Sequence, residues 1–289
     1  MSGWLVTGAA GQLGSDVVDV LRAYGEEVAA FDRAALDVTD HGAVLAALDW
    51  VQPSIVVNCA AYTAVDDAET NEDSAYDVNA RGPANLAHAC ARSGARLVHV
   101  STDYVFAGNA DAPYDEKAKT GPKSAYGRTK FAGEHAVLTS GAEGFVVRSA
   151  WLYGAVGGNF VKTMARLSRE RETVDVVDDQ IGAPTWTLHL ARALVALGIA
   201  DVAPGLWHCT NAGEATWYVF ARAIFAELGL DPARVQPTTS DKFIRPAPRP
   251  AYSVLSTQKW QRAGLPELPH WRDAVQEAFE TTGEEFTEP

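Results

Sequence analysis

The sequence predicts an α/β fold in which a doubly wound parallel sheet is joined to a smaller second lobe. Two observations predict it: short apolar runs alternate with helical stretches, and this regular alternation changes after about residue 150. Apolar strands separated by helices are typical of a parallel sheet covered on both faces, joined by right-handed crossovers. With 289 residues, 47% of them hydrophobic, the chain can bury a large core in one or two domains.

The first half of the chain supplies five candidate strands and four candidate helices between them. The strands are predicted at residues 4–8, 27–32, 54–60, 96–102 and 144–150. The helices are predicted at about 12–24, 40–49, 73–93 and 124–139. These elements define a predicted Rossmann-like first domain over residues 1–150.

The second half alternates helices with short strand-like pieces. Its helices are predicted at 158–171, 185–198, 215–229 and 270–281, and the Pro-rich stretch "RPAPRPAY" interrupts them at 245–252. We predict an α/β substrate lobe over residues 151–289, with some exchange of chain between the two lobes.

Composition and charge exclude several classes of protein. The most apolar stretch, Leu188–Ala200, is broken by Arg192, so no membrane span is expected. No signal peptide is recognised, and three widely spaced cysteines suggest neither a disulfide framework nor a zinc site. A net charge of −13 argues against binding to nucleic acid or to anionic membranes. We expect a cytoplasmic protein whose anionic ligands need a local positive pocket.

The segment "VTGAAGQLG" places Gly8, Gly11 and Gly14 at the turn from the first strand into the first helix. Glycines there permit a tight turn and let a pyrophosphate approach backbone N–H groups at a helix N-terminus. Alone, such a pattern is often only a turn. Its position after the first strand and before an apolar helix favours a dinucleotide site.

The end of the second strand carries the residues expected at the adenosine. Asp32 can accept hydrogen bonds from a ribose, although it can equally be a solvated strand end. Arg33 beside it can hold a 2′-phosphate, so both NADH and NADPH remain possible. Asp37 is placed where a loop can reach adenine, and Asp40 is the better helix cap.

Tyr126 and Lys130, four residues apart in "SAYGRTK", lie on one face of a predicted helix. A nearby ammonium favours the phenolate, which would ease proton exchange near neutral pH. Alone, this spacing more often marks a helix with a solvated lysine. Here the fourth strand ends in Ser101, Thr102 and Asp103, at the sheet edge where ligands bind, and Ser101 is expected to contact the cofactor. A hydroxyl, a phenol and an ammonium are therefore expected to converge.

Nine segments together resemble the extended short-chain dehydrogenase/reductase family, and within it the reductases of nucleotide sugars. They are "TGAAGQLG", "VVNCAAYTAVDDAE", "VNARGPANLA", "VHVSTDYVFAG", "YGRTKFAGE", "VRSAWLYG", "NFVKTM", "DDQIGAPT" and "RPAYSVL". The resemblance implies that Thr102, Tyr126 and Lys130 form the catalytic group. It implies that Asp103 and Trp151 meet the substrate, and that the cofactor is lined by Gly11, Gln12, Leu13, Asp37, Val38, Ala61, Tyr62 and Thr63.

Several other residues in these segments each allow a functional and a structural interpretation. Ala60 follows the third strand, where small residues let backbone approach a cofactor or simply pack tightly. Asn79 weakens a helix interior, so a buried amide supporting the cofactor site is expected beside the alternative of a solvated one. Trp151 can stack on a planar ring or fill the lobe boundary. Arg245 and Arg249, in the Pro-rich loop, suit a diphosphate, or are exposed arginines without a partner.

Two departures sharpen the expected reaction. Sugar-nucleotide dehydratases usually carry Glu where this chain has Tyr104, so simple reduction is favoured over elimination, and Tyr104 is assigned to the substrate. Some family members hold magnesium between acidic side chains at a dimer interface. Here Asp16 replaces Glu and Leu188 stands where an acid is expected, so a shared Mg²⁺ is doubtful. A monomer and a metal-free homodimer are both compatible with the sequence.

The sequence therefore predicts a reductase that uses NADPH or NADH on the C4 ketone of a dTDP-sugar. One alternative is a non-catalytic, dinucleotide-binding regulatory subunit of the same fold, like the subunit that accompanies methionine adenosyltransferase. Another is an epimerase or reductase that acts on a different nucleotide sugar.

Overall fold

The computed structural model describes residues 3–287, and its centre is a six-stranded parallel sheet. The strands are β1 Trp4–Thr7, β2 Val28–Phe31, β3 Ile55–Asn58, β4 Arg96–Thr102, β5 Gly144–Ser149, β6 Leu152–Tyr153, β7 Val174–Val177, β8 Ile181–Gly182, β9 Thr185–Trp186, β10 Gly205–His208, β11 Ala215–Thr216 and β12 Val235–Thr238. The central sheet has the order β2-β1-β3-β4-β5-β10, and all its pairings are parallel. The strand order reverses between β1 and β3, the place where doubly wound sheets bind ligands.

Ten α-helices surround the strands in this part of the chain. They are α1 Gln12–Ala23, α2 His41–Val51, α3 Glu72–Tyr76, α4 Gly82–Ser93, α5 Ala125–Thr139, α6 Phe160–Glu170, α7 Thr187–Ile199, α8 Trp217–Glu227, α9 Gln258–Arg262 and α10 Trp271–Thr287. The doubly wound α/β fold is thus confirmed. The five strands predicted in the first half all form, and Asp40 caps α2 by accepting a bond from the Ala43 N–H.

One predicted helix, 73–93, is wrong as a continuous element. A π-helical turn over Asp77–Arg81 separates α3 from α4, although the backbone stays helical throughout. Apolar periodicity does not reveal this wider turn, because the change lies in the hydrogen-bond register. Gly133 of α5 lies against the turn so closely that a Cβ there would be 2.1 Å from the Asn79 carbonyl oxygen. The turn therefore packs directly on α5.

The central sheet is buried on both faces, as its continuous apolar strands require. On one face Val6, Val57 and Val98 pack with α1 and α7. On the other face Leu5, Val56 and Leu97 pack with α2 and α4. Both α7 and β10 come from the second half of the chain, so the chain returns to the first sheet after leaving it.

A second apolar core lies among α6, α8 and α10 and the β7–β12 pair. Phe220, Ile224 and Trp271 are buried in it. This separate core carries the wall of a large cleft described below. None of the helices within residues 3–287 combines the length and the apolar character needed to cross a membrane.

Candidate active site

The glycine turn after β1 is an open cradle of backbone. Gly8 has a φ of +66°, and a Cβ on Gly14 would lie 2.1 Å from the Gly8 carbonyl oxygen. Gly11 is the N-cap residue just before α1, and no side chain within the described chain caps that end of the helix. Unpaired N–H groups at a helix N-terminus bind anions. The cradle therefore fits a pyrophosphate that approaches the backbone at Gln12 and Leu13.

A shallow cavity of about 320 Å³ lies beside this turn, and Ala9, Ala10 and Asp32 are among its lining residues. Asp32 is exposed, and its Oδ1 accepts a hydrogen bond from the Ala35 N–H at 2.8 Å. Arg33 is exposed next to it. The arrangement offers both a carboxylate for a ribose and a guanidinium for a 2′-phosphate.

The loop after Asp32 is held by its own hydrogen bonds. Asp37 Oδ1 accepts from the N–H and the hydroxyl of Thr39, and these bonds lower the pKa of the Asp37 carboxyl. Val38 is buried, so its contribution to a ligand would come from the backbone. Asp37 thus braces the loop through Oδ1 while its side chain stays exposed.

The loop after β3, residues 60–63, lies against the glycine turn. A Cβ on Gly8 would be 2.7 Å from the Ala60 nitrogen. Asn79, which is fully buried in the π-helical turn, accepts from the Tyr62 N–H at 2.8 Å. Its Nδ2 donates to the Tyr62 carbonyl and to Thr129 Oγ1, both at 3.1 Å. The Asn79 amide therefore positions the loop that carries Ala61, Tyr62 and Thr63.

Tyr126, Lys130 and Thr102 meet between α5 and the carboxyl end of β4, and we call them the catalytic group. Ser124 caps α5 by accepting a bond from the Gly127 N–H at 3.1 Å. Lys130 is buried, and its Nζ donates to the Val100 carbonyl at 2.6 Å. The Thr102 hydroxyl lies close enough to the phenol of Tyr126 to lower its pKa. The phenol and the ammonium thus stand on α5 and the hydroxyl at the end of β4, and their convergence on one reacting atom stays a prediction.

The electrostatics of this group differ from the expectation. Burial raises the pKa of Tyr126 to about 12, against a lowering effect of the nearby Thr102 hydroxyl. Burial also lowers the pKa of Lys130 to about 8, while the charge of Glu134 opposes that shift. The prediction that Lys130 favours the phenolate is wrong here, because loss of solvent dominates and the ammonium bonds to a backbone carbonyl. At neutral pH the phenol keeps its proton, which is the form a proton donor needs.

Asp103 adds a buried carboxyl to the catalytic group. Its Oδ1 accepts from the Thr102 hydroxyl at 2.9 Å, whereas Oδ2 is buried with no partner in the described structure. Burial raises the pKa of Asp103 to about 6, opposed by the nearby hydroxyl groups of Ser253 and Thr102. The Tyr104 ring lies edge-on to the Tyr126 ring at 5.6 Å between centroids. An orphaned buried acceptor of this kind fits a ligand hydroxyl.

Ser101 is not brought to the catalytic group, although it precedes Thr102. Successive strand residues point to opposite faces, and the Ser101 hydroxyl donates to Glu134 Oε1 at 2.6 Å. Glu134 forms a buried ion pair with Arg148 at 2.6 Å. The expectation that Ser101 contacts the cofactor is thus not supported by its orientation. Glu134 was missed, although its position four residues after Lys130 is a readable signal.

A cleft of about 710 Å³ opens from Tyr104 across the second lobe. Three aromatic side chains and four arginines are among its lining residues: Phe160, Trp217, Phe243, Arg166, Arg171, Arg245 and Arg249. Aromatic faces and guanidinium groups are suited to a nucleobase and a diphosphate. Sequence reasoning found Arg245 and Arg249 but missed the others, which are scattered over separate segments without a motif of their own.

Trp151 supports the wall of this cleft. Its indole stacks on that of Trp217 at 3.5 Å between centroids, and its φ is +49°. A Cβ on Gly182 would lie 2.3 Å from the Trp151 ring, so the ring is seated directly on backbone. Of the two readings of Trp151, packing at the lobe boundary is therefore the one seen in the structure.

Arg249 has an acidic partner that the sequence did not suggest. Its Nη2 donates to Asp66 Oδ2 at 2.9 Å, and its Nη1 donates to the Ala247 carbonyl at 2.9 Å. Arg245 Nη1 lies 3.9 Å from the same Asp66 oxygen. The alternative that these arginines lack partners is therefore wrong.

Two observations describe Asp16, which stands where some family members have a magnesium-binding Glu. Asp16 Oδ2 is buried without a hydrogen-bond partner within residues 3–287, and burial raises the pKa of that carboxyl. Those residues contain no cluster of three or more His, Cys, Asp or Glu side chains placed to hold a metal ion.

Comparison with known proteins gives a single family. A model of the RmlD substrate binding domain matches residues 2–283. The chain is 52% identical to a dTDP-4-dehydrorhamnose reductase of Streptomyces griseus, over 96% of this chain and 92% of that protein. It is 51% identical to a dTDP-4-keto-6-deoxy-D-glucose reductase of Streptomyces niveus, over 96% of each.

A solved structure agrees over the whole length. A dTDP-4-dehydrorhamnose reductase of Bacillus anthracis, crystallised in complex with NADP, superimposes with a TM-score of 0.94 at 38% identity. The match covers 98% of this chain and 100% of that one. With its glycine cradle, catalytic group and arginine-lined cleft, the chain belongs to the RmlD substrate binding domain family.

Proposed function

We propose that this protein reduces the C4 ketone of dTDP-4-dehydro-L-rhamnose to the alcohol of dTDP-L-rhamnose, with NADPH or NADH as reductant. The observation that carries the proposal is that Thr102 acts on the Tyr126 phenol while Lys130, one turn along the same helix, bonds to the strand that ends in Thr102. The arginine-lined cleft that begins at Tyr104 supports a sugar nucleotide as the substrate. The similarity to reductases of dTDP-4-ketosugars supports the same class.

Each member of the catalytic group has a task in this proposal. A bound dinucleotide supplies the hydride. Tyr126 Oη donates the proton to the C4 oxygen as it gains charge, and Thr102 Oγ1 hydrogen-bonds the same oxygen and orients it. Lys130, fixed through the Val100 carbonyl, holds positive charge near the reacting atoms and binds a ribose hydroxyl. Asp103 Oδ2 accepts from a sugar hydroxyl, which would satisfy its orphaned oxygen.

The remaining contacts are assigned by position. Gly8, Gly11 and Gly14 give backbone access to the pyrophosphate, and Asp32 and Arg33 face the adenosine end. Asn79 acts indirectly, through the loop 60–63 that it holds. In the second lobe, the arginines of the cleft bind the diphosphate and Trp217 offers an aromatic face to the base.

A second candidate substrate follows from the Streptomyces niveus relative, which is 51% identical and is a dTDP-4-keto-6-deoxy-D-glucose reductase. The two 4-ketosugars differ in stereochemistry, not in the bond reduced. The test is therefore a panel: purified protein, NADPH and several nucleotide 4-ketosugars, compared by kcat/KM. We expect dTDP-4-dehydro-L-rhamnose to be reduced fastest. Faster reduction of the D-glucose-derived ketosugar would transfer the assignment to that substrate.

The panel also separates an enzyme from a binding module. A non-catalytic subunit of the same fold would retain the dinucleotide without oxidising it, whatever ketosugar is added. An epimerase would return the ketosugar as a stereoisomer without net loss of NADPH.

A further inference from the structure

We propose that Asp66 is an internal counterion that holds Arg245 and Arg249 until the diphosphate of a sugar nucleotide displaces it. The inference rests on the proposed function, since it assigns these arginines to the diphosphate. It adds that a carboxylate of the protein itself competes with the diphosphate for these arginines.

The contacts of Asp66 join two distant parts of the chain. Its Oδ1 accepts from the Ala247 N–H at 3.2 Å, and its Oδ2 accepts from Arg249 Nη2 at 2.9 Å. Arg245 Nη1 lies 3.9 Å from Oδ2. One carboxylate therefore lies where two arginines of the cleft come together. A phosphate group at the same place could bind the same two arginines.

The Asp66 carboxylate reduces the positive charge that the cleft offers to a diphosphate. The chain carries a net charge of −13, so the few cations of the cleft must attract the diphosphate locally. Burial favours protonation of Asp66, but the bonds from Arg249 and Ala247 and the charge of Arg245 leave the pKa of its carboxyl lowered. Asp66 is thus ionised at neutral pH and neutralises part of the cleft before a ligand arrives.

Exchange of Asp66 for a ligand is favoured by the exposure of the pair. The side chains of Asp66 and Arg249 are 30% and 22% exposed, so solvent weakens their attraction. A diphosphate carries more charge and can take two parallel bonds from one guanidinium. The ligand therefore replaces a weak ion pair with a stronger one.

The pair also ties the substrate loop to the cofactor loop. Asp66 follows the segment Ala61–Thr63, and three residues later Glu69 accepts a hydrogen bond from the Ala125 N–H at the start of α5. Displacement of Asp66 thus releases the Pro-rich loop from the segment that borders the cofactor pocket and the catalytic helix.

The test is the affinity of the full chain for dTDP, measured by calorimetry in the parent and in Asp66→Asn. Removing a partly exposed competing charge should lower the dTDP Kd by about two- to fivefold. Asp73→Asn is the matched control, because Asp73 is exposed on α3 and its substitution changes the net charge by the same amount. Asp66→Glu restores the charge and should return the Kd towards the parent value.

A double-mutant cycle identifies the partner. In an Arg249→Ala background, Asp66→Asn should lose most of its effect on the dTDP Kd. Asp66→Ser serves as a second variant if the Asn chain does not give a parent-like melting curve. A dTDP Kd that is unchanged or raised in the Asp66 variants, while the parent binds dTDP, overturns this inference alone. A parent that binds no dTDP overturns the proposed function together with it.

Discussion

The catalytic group and the arginine-lined cleft adjoin at Tyr104, yet they are built in opposite ways. Lys130 and Asp103 are buried, and Lys130 is held by a backbone carbonyl at 2.6 Å. In the cleft, the Arg166 and Arg245 side chains are 56% and 61% exposed. The catalytic group stands on one strand and one helix, whereas the cleft is assembled from several separate segments.

This difference separates chemistry from recognition. A proton donor must be held rigidly beside the reacting atom, so burial and fixed partners are an advantage. A diphosphate is attracted by charge over a wider area, so mobile, hydrated arginines suffice. Variants of the catalytic group should therefore act mainly on kcat, and variants of the cleft mainly on KM.

The largest effect is expected for Tyr126→Phe, which removes the proton donor and keeps the ring. Loss of a general acid costs about 10²- to 10⁴-fold in rate, so kcat should fall by that factor with little change in KM. Steady-state kinetics measures both, and Tyr24→Phe, an exposed tyrosine on the far surface, is the control. A parent-like kcat in Tyr126→Phe would remove the phenol from the mechanism.

The second prediction concerns the charge of Lys130. Burial lowers its pKa to about 8, so the ammonium is present below that pH and lost above it. If the ammonium binds a ribose hydroxyl, dinucleotide affinity should fall about tenfold or more as pH rises through about 8. Titrating NADPH binding against pH measures this, and Lys130→Met should bind weakly at every pH. A flat profile in the parent contradicts the role given to the ammonium.

The third prediction tests the arginine-lined cleft through Arg249→Ala. Loss of a charge-assisted bond to the diphosphate should raise the KM of the sugar nucleotide about tenfold, with kcat largely unchanged. In the free protein Arg249 already pairs with Asp66, so the ligand replaces one partner with another and a larger effect is not expected. Arg262→Ala is the control, because Arg262 is an exposed residue at the end of α9. An equal loss of NADPH affinity would place Arg249 at the cofactor instead.

The smallest effect is expected at Arg33, an exposed residue at the adenosine end. Arg33→Ala should weaken NADPH binding by about threefold and leave NADH binding nearly unchanged, since only NADPH carries a 2′-phosphate. The ratio of the two dissociation constants is the measurement. If both cofactors weaken equally, or neither does, Arg33 does not recognise the phosphate.

The same contrast explains what could be predicted from the sequence. Strand β4 ends at Thr102 as predicted, and the four-residue spacing placed Tyr126 and Lys130 on one helical face, because local periodicity fixes both features. Burial was not readable in this way, so the direction of the Tyr126 pKa was misjudged. It depends on which side chains and carbonyls close around the phenol after folding.

The cleft was harder to predict, since its residues are far apart in the chain. Arg166 and Arg171 lie on and just after α6, where an arginine is ordinarily a solvated side chain. The pairing of Asp66 with Arg249 spans 183 residues and has no local signal. Among the cleft arginines, only Arg245 and Arg249 could be predicted, because they lie in the Pro-rich loop.

The most direct test of the account is turnover. Purified protein is mixed with NADPH and dTDP-4-dehydro-L-rhamnose, and both NADPH loss and nucleotide-sugar product are measured, beside Tyr126→Phe. We predict one dTDP-L-rhamnose formed for each NADPH oxidised by the parent, and a Tyr126→Phe protein that binds both ligands but scarcely reacts. A parent that binds both ligands and forms no reduced sugar would contradict it.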